Sequence, residues 1–257
     1  MKNFWFHWIL AGLLATAFAL EAISFFLPLR FVWLETALIL LAAGSSITAL
    51  LRQLPAQNVL FAAFIIALAG GIISTVGEKF GVPFGSFIVG VESRPRIFGT
   101  VSWAMPLIWM VAILNSRGVA RLILRPWRKT KTYGFRLIGF TAALTAAFDF
   151  AFEPFATRVK HYWFWEPTKL SWQGAPLVNF LAWAIVTALI LAFVTPLLIN
   201  KQLSKRSAPD FHPLGIWVGA VLIFGIGSAV HGLWMAAAVD AAIGIVTAIF
   251  AVRGAKW

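Results

Sequence analysis

Apolar residues run along this chain in long unbroken stretches, without the two-residue alternation of strands or the one-sided stripe of a surface helix. Several stretches reach the length of about 18 residues that a helix needs to cross a hydrocarbon layer. Lipid satisfies no open backbone group, so each crossing must be a helix or part of a closed barrel. The missing alternation excludes the barrel. Eight spans are predicted, at roughly 5–27, 32–51, 58–77, 98–116, 134–154, 174–199, 214–229 and 232–252. The last two share a stretch too long for one comfortable span and short for two. Gly225, Gly227 and the His231-Gly232-Leu233 segment predict the turn that divides it; a seven-span reading is the alternative. The expected fold class is all-α: a polytopic membrane helical bundle, one integral-membrane domain over residues 1–257, without linker or internal repeat. The N-terminal run carries an Ala17-Phe18-Ala19 triplet like that of a cleaved signal peptide. It continues to Leu27, interrupted only by Glu21, which favours a retained first span.

Composition agrees with this pattern. The chain is 61% hydrophobic and 12% charged, against about 25% charged in soluble domains. It has no cysteine, which excludes disulfides and thiolate chemistry. A net charge of +12 would point to nucleic acid in a soluble protein. Here it points to cytoplasmic loops facing anionic membrane lipid, and no nucleic-acid partner is expected. With eight spans, fourteen Lys and Arg fall on the side that holds both termini, counting Lys2, Lys201, Lys205 and Arg206, and seven on the other. The excess places the N-terminus in the cytoplasm.

That orientation sorts the acids. Glu35, Glu78, Glu92, Glu153 and Glu166 lie at the outer edge, and Glu21, Asp149 and Asp240 in the outer halves of their spans. Only Asp210 is cytoplasmic. A carboxylate within a span costs several kcal/mol unless protonated, paired or hydrated, so intramembrane acids are functional candidates. Asp240 stands among small residues and is equally readable as glue between helices; Glu21 is equally readable as the buried partner of an arginine such as Arg30. Asp149 and Glu153 differ, because a spacing of four puts them on one helix face about 6 Å apart along the axis. Two carboxyls so close in low dielectric can hold a proton between them, as a general acid requires. The competing reading pairs them with Arg158 or Lys160. Pro154 is expected to end the helix there and open a cavity or loop. Trp163 and Trp165 follow at a spacing of two, as an interfacial aromatic belt or as the wall of a pocket for a conjugated ligand. Asn179 could orient water or join helices. The glycine-rich turn at 76–87 lacks the order of a phosphate loop, and no histidines have metal-ligand spacing.

In combination, Asp149-x-x-x-Glu153-Pro154, Trp163-x-Trp165 and Gly174-x-Pro176-x-x-Asn179-Phe180-x-x-Trp183 resemble the carotenoid biosynthesis membrane proteins of the CruF-like carotenoid 1,2-hydratase family. The Phe80-to-Gly85 turn with Phe84, and Pro106 and Trp109 of the next helix, are similar too, so the resemblance covers about 70–190. It implies cofactor-independent addition of water to the terminal double bond of an acyclic carotenoid end group, of lycopene or γ-carotene type. It also implies a polyene substrate taken from the bilayer, residence in the cytoplasmic membrane of a prokaryote, and association with other carotenoid enzymes. Asp149 and Glu153 would supply acid and base in either order, and Asn179 would hold water or substrate. Trp163, Trp165, Phe84 and Trp183, with Glu21 and Asp240, would line the substrate's path. The sequence departs from the family where Ser74 replaces a glutamate, and Glu78, one helical turn on, is expected to take its place. A transporter using the outer acids for protons or ions, and a non-catalytic polyprenoid-binding protein, are the alternatives.

Overall fold

The structure, a computed structural model, describes residues 5–27, 33–199 and 208–257. Arg30, expected beside Glu21, and Lys2, Lys201, Lys205 and Arg206 lie outside them. Eight helices among the described residues are long and apolar enough to cross a membrane: α1 (Trp5–Ser24), α2 (Leu34–Leu51), α3 (Ala56–Phe80), α4 (Met105–Ile123), α5 (Tyr133–Pro154), α6 (Leu177–Val194), α7 (His212–Val230) and α8 (Trp234–Ala255). The predicted turn between α7 and α8 is present, with Gly232 at φ +77°. Sequence neighbours pack together as α1–α2, α3–α4, α5–α6 and α7–α8.

Helix α4 is the hub, packed against α2, α3, α5, α7 and α8. It is the least apolar of the eight spans, with mean hydropathy 1.3, and the most enclosed. Hidden from lipid, it can carry polar groups that its neighbours satisfy. Asn115 donates to Ser46 Oγ on α2, Trp217 of α7 donates to Ser116 Oγ, and Arg117 reaches the Leu198 carbonyl.

Two connections form a cap over one end of the bundle. Strand β1 (Phe87–Val89) pairs antiparallel with β2 (Trp163–Trp165), in the register Phe87↔Trp165 and Val89↔Trp163. A smaller ladder joins β3 (Ser171–Trp172) to β4 (Ala175–Pro176). The cap shortens two predicted spans. The fourth begins at 105, not 98, because Ile97–Gly99 form a 3₁₀ turn and Arg96 bridges to Ser102. The sixth begins at 177, because Gly174 takes φ +101° and the next two residues are strand.

The α-helix ends at Pro154, but the helical path does not. The chain continues through Phe155–Val159 as a wider π turn. Proline has no N–H for the carbonyl four residues back, and Trp172 of the cap donates to that Phe150 carbonyl instead, at 3.2 Å. The indole of Trp172 also stacks on the Phe150 ring, 4.7 Å between centroids.

Candidate active site

Asp149 and Glu153 lie on the face of α5 turned toward α6 and the cap, and are 1% and 2% exposed. Their partners are neutral. Trp163 and Trp165 donate their indole N–H groups to Glu153 Oε2, at 3.2 and 2.8 Å. Asn179, from the first turn of α6, donates through Nδ2 to Asp149 Oδ2 at 2.6 Å and to Glu153 Oε1 at 3.2 Å. One amide thus ties the two carboxyls together. Asp149 Oδ1 is buried without a hydrogen-bond partner among the described residues. Strand geometry explains the two tryptophans: residues two apart point to the same side, so 163 and 165 reach one carboxyl together. Neither Arg158 nor Lys160 pairs with these acids. Arg158 donates to the Gln173 carbonyl, and Lys160 pairs with other acids.

Glu153 and Asn179 border a cavity whose other walls are Ser74, Phe84, Phe87, Met105 and the indoles of Trp109, Trp163, Trp165 and Trp183. The space open to the centre of a water-sized sphere is about 20 Å³, room for one water. Trp109 and Trp183 stack with centroids 3.6 Å apart and planes within 10°. Gly70 permits this, since a side chain there would collide with Trp109. Ser74 accepts the Trp109 indole N–H at 2.9 Å. The sequence reading singled out Glu78 on this helix, but the cavity is met by Ser74; Glu78 is half-buried and does not line it.

Two other singled-out acids lie elsewhere. Asp240, 1% exposed on α8, packs beside Gly225 of α7, and neither of its oxygens has a partner among the described residues. Glu21 forms a second polar centre with Glu35, Lys160 and Tyr162. Lys160 Nζ lies 2.7 Å from Glu21 Oε1 and 2.6 Å from Glu35 Oε1, and the Tyr162 hydroxyl donates to Glu35 Oε2 at 2.6 Å. Burial alone would lower the Lys160 pKa, but Glu35 and Glu21 outweigh it and raise it above 10.5. Burial, then Glu35, pushes the Tyr162 phenol well above its ordinary value. Lys160 is therefore a cation and Tyr162 neutral at physiological pH. Spacing pointed Lys160 toward its near neighbours on α5; the π turn carries it instead across to α1 and α2.

The centre closes one end of a larger apolar cavity, about 130 Å³ on the same measure, between α1, α2, α4, α5 and α7. Phe148 and Phe152 form its α5 wall. The Phe152 ring meets Trp163 edge-on at 5.7 Å, so one aromatic layer separates the two cavities at this point. A third recess of about 70 Å³, mostly apolar but bordered by Glu92, Arg94 and Ser102, shares Met105 and Trp163 with the acid cavity, and Glu35 and Tyr162 with the larger one.

The sequence matches the family described as carotenoid biosynthesis protein over residues 33–247. Bisanhydrobacterioruberin hydratase of Haloarcula japonica is 27% identical over 113 residues, which make up 44% of this chain and 36% of that protein. No solved structure matches.

Proposed function

Because this chain belongs to the carotenoid biosynthesis protein family, we propose that it hydrates the terminal double bond of an acyclic carotenoid end group, using the Asp149–Glu153 pair as acid and base. The observation that carries the reading is a buried carboxyl pair, held by neutral donors, at a water-sized cavity walled by aromatic rings. Glu153 borders the cavity, and its Oε1 carries the proton while Oε2 accepts the two indoles. The proton adds to the less substituted carbon of the end alkene, the π bond breaks, and a tertiary cation forms beside the indole faces. Aromatic faces attract such a cation, and a dry site makes that attraction count. The two indole N–H groups stabilise the carboxylate that Glu153 becomes. A water held by Asn179 attacks the cation and returns a proton to the pair. One water is added and the acid is regenerated. The recess that shares Met105 and Trp163 with the acid cavity is the route by which water enters.

A metal or redox cofactor has no role in this scheme. The substrate class is a lycopene- or γ-carotene-type polyene delivered from the cytoplasmic membrane of a prokaryote. The hydratase name of the Haloarcula japonica relative supports the reaction type. The test is expression in a bacterium that makes lycopene, followed by pigment analysis. Products heavier by one water are expected. Unchanged pigment, with the protein abundant in the membrane, would overturn the reading.

A further inference from the structure

The larger cavity has no part in that chemistry, yet it is built like a binding site. Five phenylalanines, Phe18, Phe148, Phe152, Phe155 and Phe224, and aliphatic side chains line it, and among the described residues its polar groups are those of Glu21, Glu35, Lys160 and Tyr162. Such a space suits an amphiphile with an apolar body and one polar end. Flat aromatic faces fit a conjugated or methyl-branched chain.

The polar end also specifies the head group. Two carboxylates offer about eight acceptor directions. Lys160 and Tyr162 fill three of them through the contacts described above. Lys160 spends two of its three N–H groups on these carboxylates and Tyr162 its one. The contacts among these four residues thus leave one ammonium N–H and several carboxylate lone pairs for a guest. A carbonyl or ether oxygen could only accept from Lys160; a hydroxyl accepts there and also donates to a carboxylate.

We propose that this cavity binds an isoprenoid alcohol, its chain among the phenylalanines and its hydroxyl donating to the Glu21–Glu35 carboxylates. The site is separate from the acid cavity, and its binding can be tested without reference to hydration. Should hydration occur next door, its product belongs to this chemical class, and the Phe152–Trp163 layer is what that product must pass.

The full chain in phosphatidylcholine nanodiscs would be titrated with retinol, a polyene alcohol, and with retinyl methyl ether, reading energy transfer from tryptophan to the polyene. Retinol should saturate, and the ether should bind about tenfold more weakly or worse, the cost of a lost hydrogen bond to a charged group. Glu21→Gln should narrow that ratio. Ala220→Phe, which fills the cavity, should abolish retinol binding without altering the melting temperature, and Asp149→Asn should leave it intact. Equal binding of alcohol and ether would overturn the proposal, as an ordinary lipid chain site would behave. So would wild-type binding by Ala220→Phe, or loss of binding in Asp149→Asn, which would place the probe in the acid cavity. If Ala220→Phe fails to fold, the alcohol-to-ether ratio in Glu21→Gln decides. Absent hydration with retained alcohol selectivity would count against the hydratase reading alone.

Discussion

Helix α5 and its π-turn extension serve two acidic centres with opposite solutions to the same cost. Asp149 and Glu153 face α6 and the cap, where two indoles and one amide meet them. Beyond the π turn, Lys160 joins Glu21 and Glu35. A cation pairs directly with its carboxylates and offsets their charge. Neutral donors orient a carboxyl and leave its proton exchangeable. The first centre suits acid catalysis, and the second suits bracing helices and receiving a donor.

The comparison breaks most severely at the acids themselves. Glu153→Gln or Asp149→Asn should lower hydration about a thousandfold, the scale of a lost general acid or base, measured as hydrated pigment per unit of protein in lycopene-bearing membranes. Glu21→Gln should stay within a few-fold of wild type in the same assay; equal damage at both centres would erase the distinction drawn here.

Removing the cation should show as stability. Lys160→Met leaves Glu21 and Glu35 facing each other. The cost should be about 1–3 kcal/mol, below the about 3–5 kcal/mol of a broken fully buried pair, because the Glu35 side chain is 41% exposed. Thermal unfolding checks it, and pH supplies the sign. The folded-state pKa of Lys160 is raised above 10.5, so its contribution is complete below that value and lost as pH climbs through the raised one. Wild type should therefore lose melting temperature above about pH 10.5 by more than Lys160→Met does. Tyr162, also raised, acts in the same direction in both proteins.

Smaller effects sharpen the picture. Trp165→Phe keeps the ring but deletes the 2.8 Å donor to Glu153; about tenfold slower hydration is expected, with substrate affinity little changed. Asp240→Asn should change hydration less than about twofold and leave the melting temperature equal or higher. Its buried oxygens have no partner to lose among the described residues, and an amide, unlike a carboxyl, cannot ionise in an apolar setting.

The spans were legible in the sequence because length and apolarity are nearly all that bilayer crossing demands. The cap was not. Ile97, Val101 and Ala104 read as the start of a lipid-crossing helix, yet Val101 and Ala104 are buried beneath loop structure, and hydropathy cannot tell protein from lipid as the apolar surroundings. Asp149 and Glu153 were legible together because helical spacing fixed the pair, and Asn179 joined them through the family resemblance. That both tryptophans would aim their N–H groups at one carboxyl was not, since pairing of β2 with β1 spans some 76 residues of sequence. Lys160 and Glu78 show the same limit: spacing assigns a face, while helix rotation and the π turn assign the partner. Ser74 was passed over as a loss, although its place beside Gly70 on the face toward Trp109 was the available hint.

The register of the β1–β2 ladder makes one length in this protein unforgiving. Between Val159, where the π turn ends, and Trp163 there are three residues, and removing one would slide the ribbon by a single step. Side chains on a ribbon alternate, so Phe164 would then face the acid where the indoles now do, and Glu153 would lose both donors together. Natural variants should conserve that count even where the letters drift, and engineered insertions should be better tolerated at 166–170, beyond the ladder.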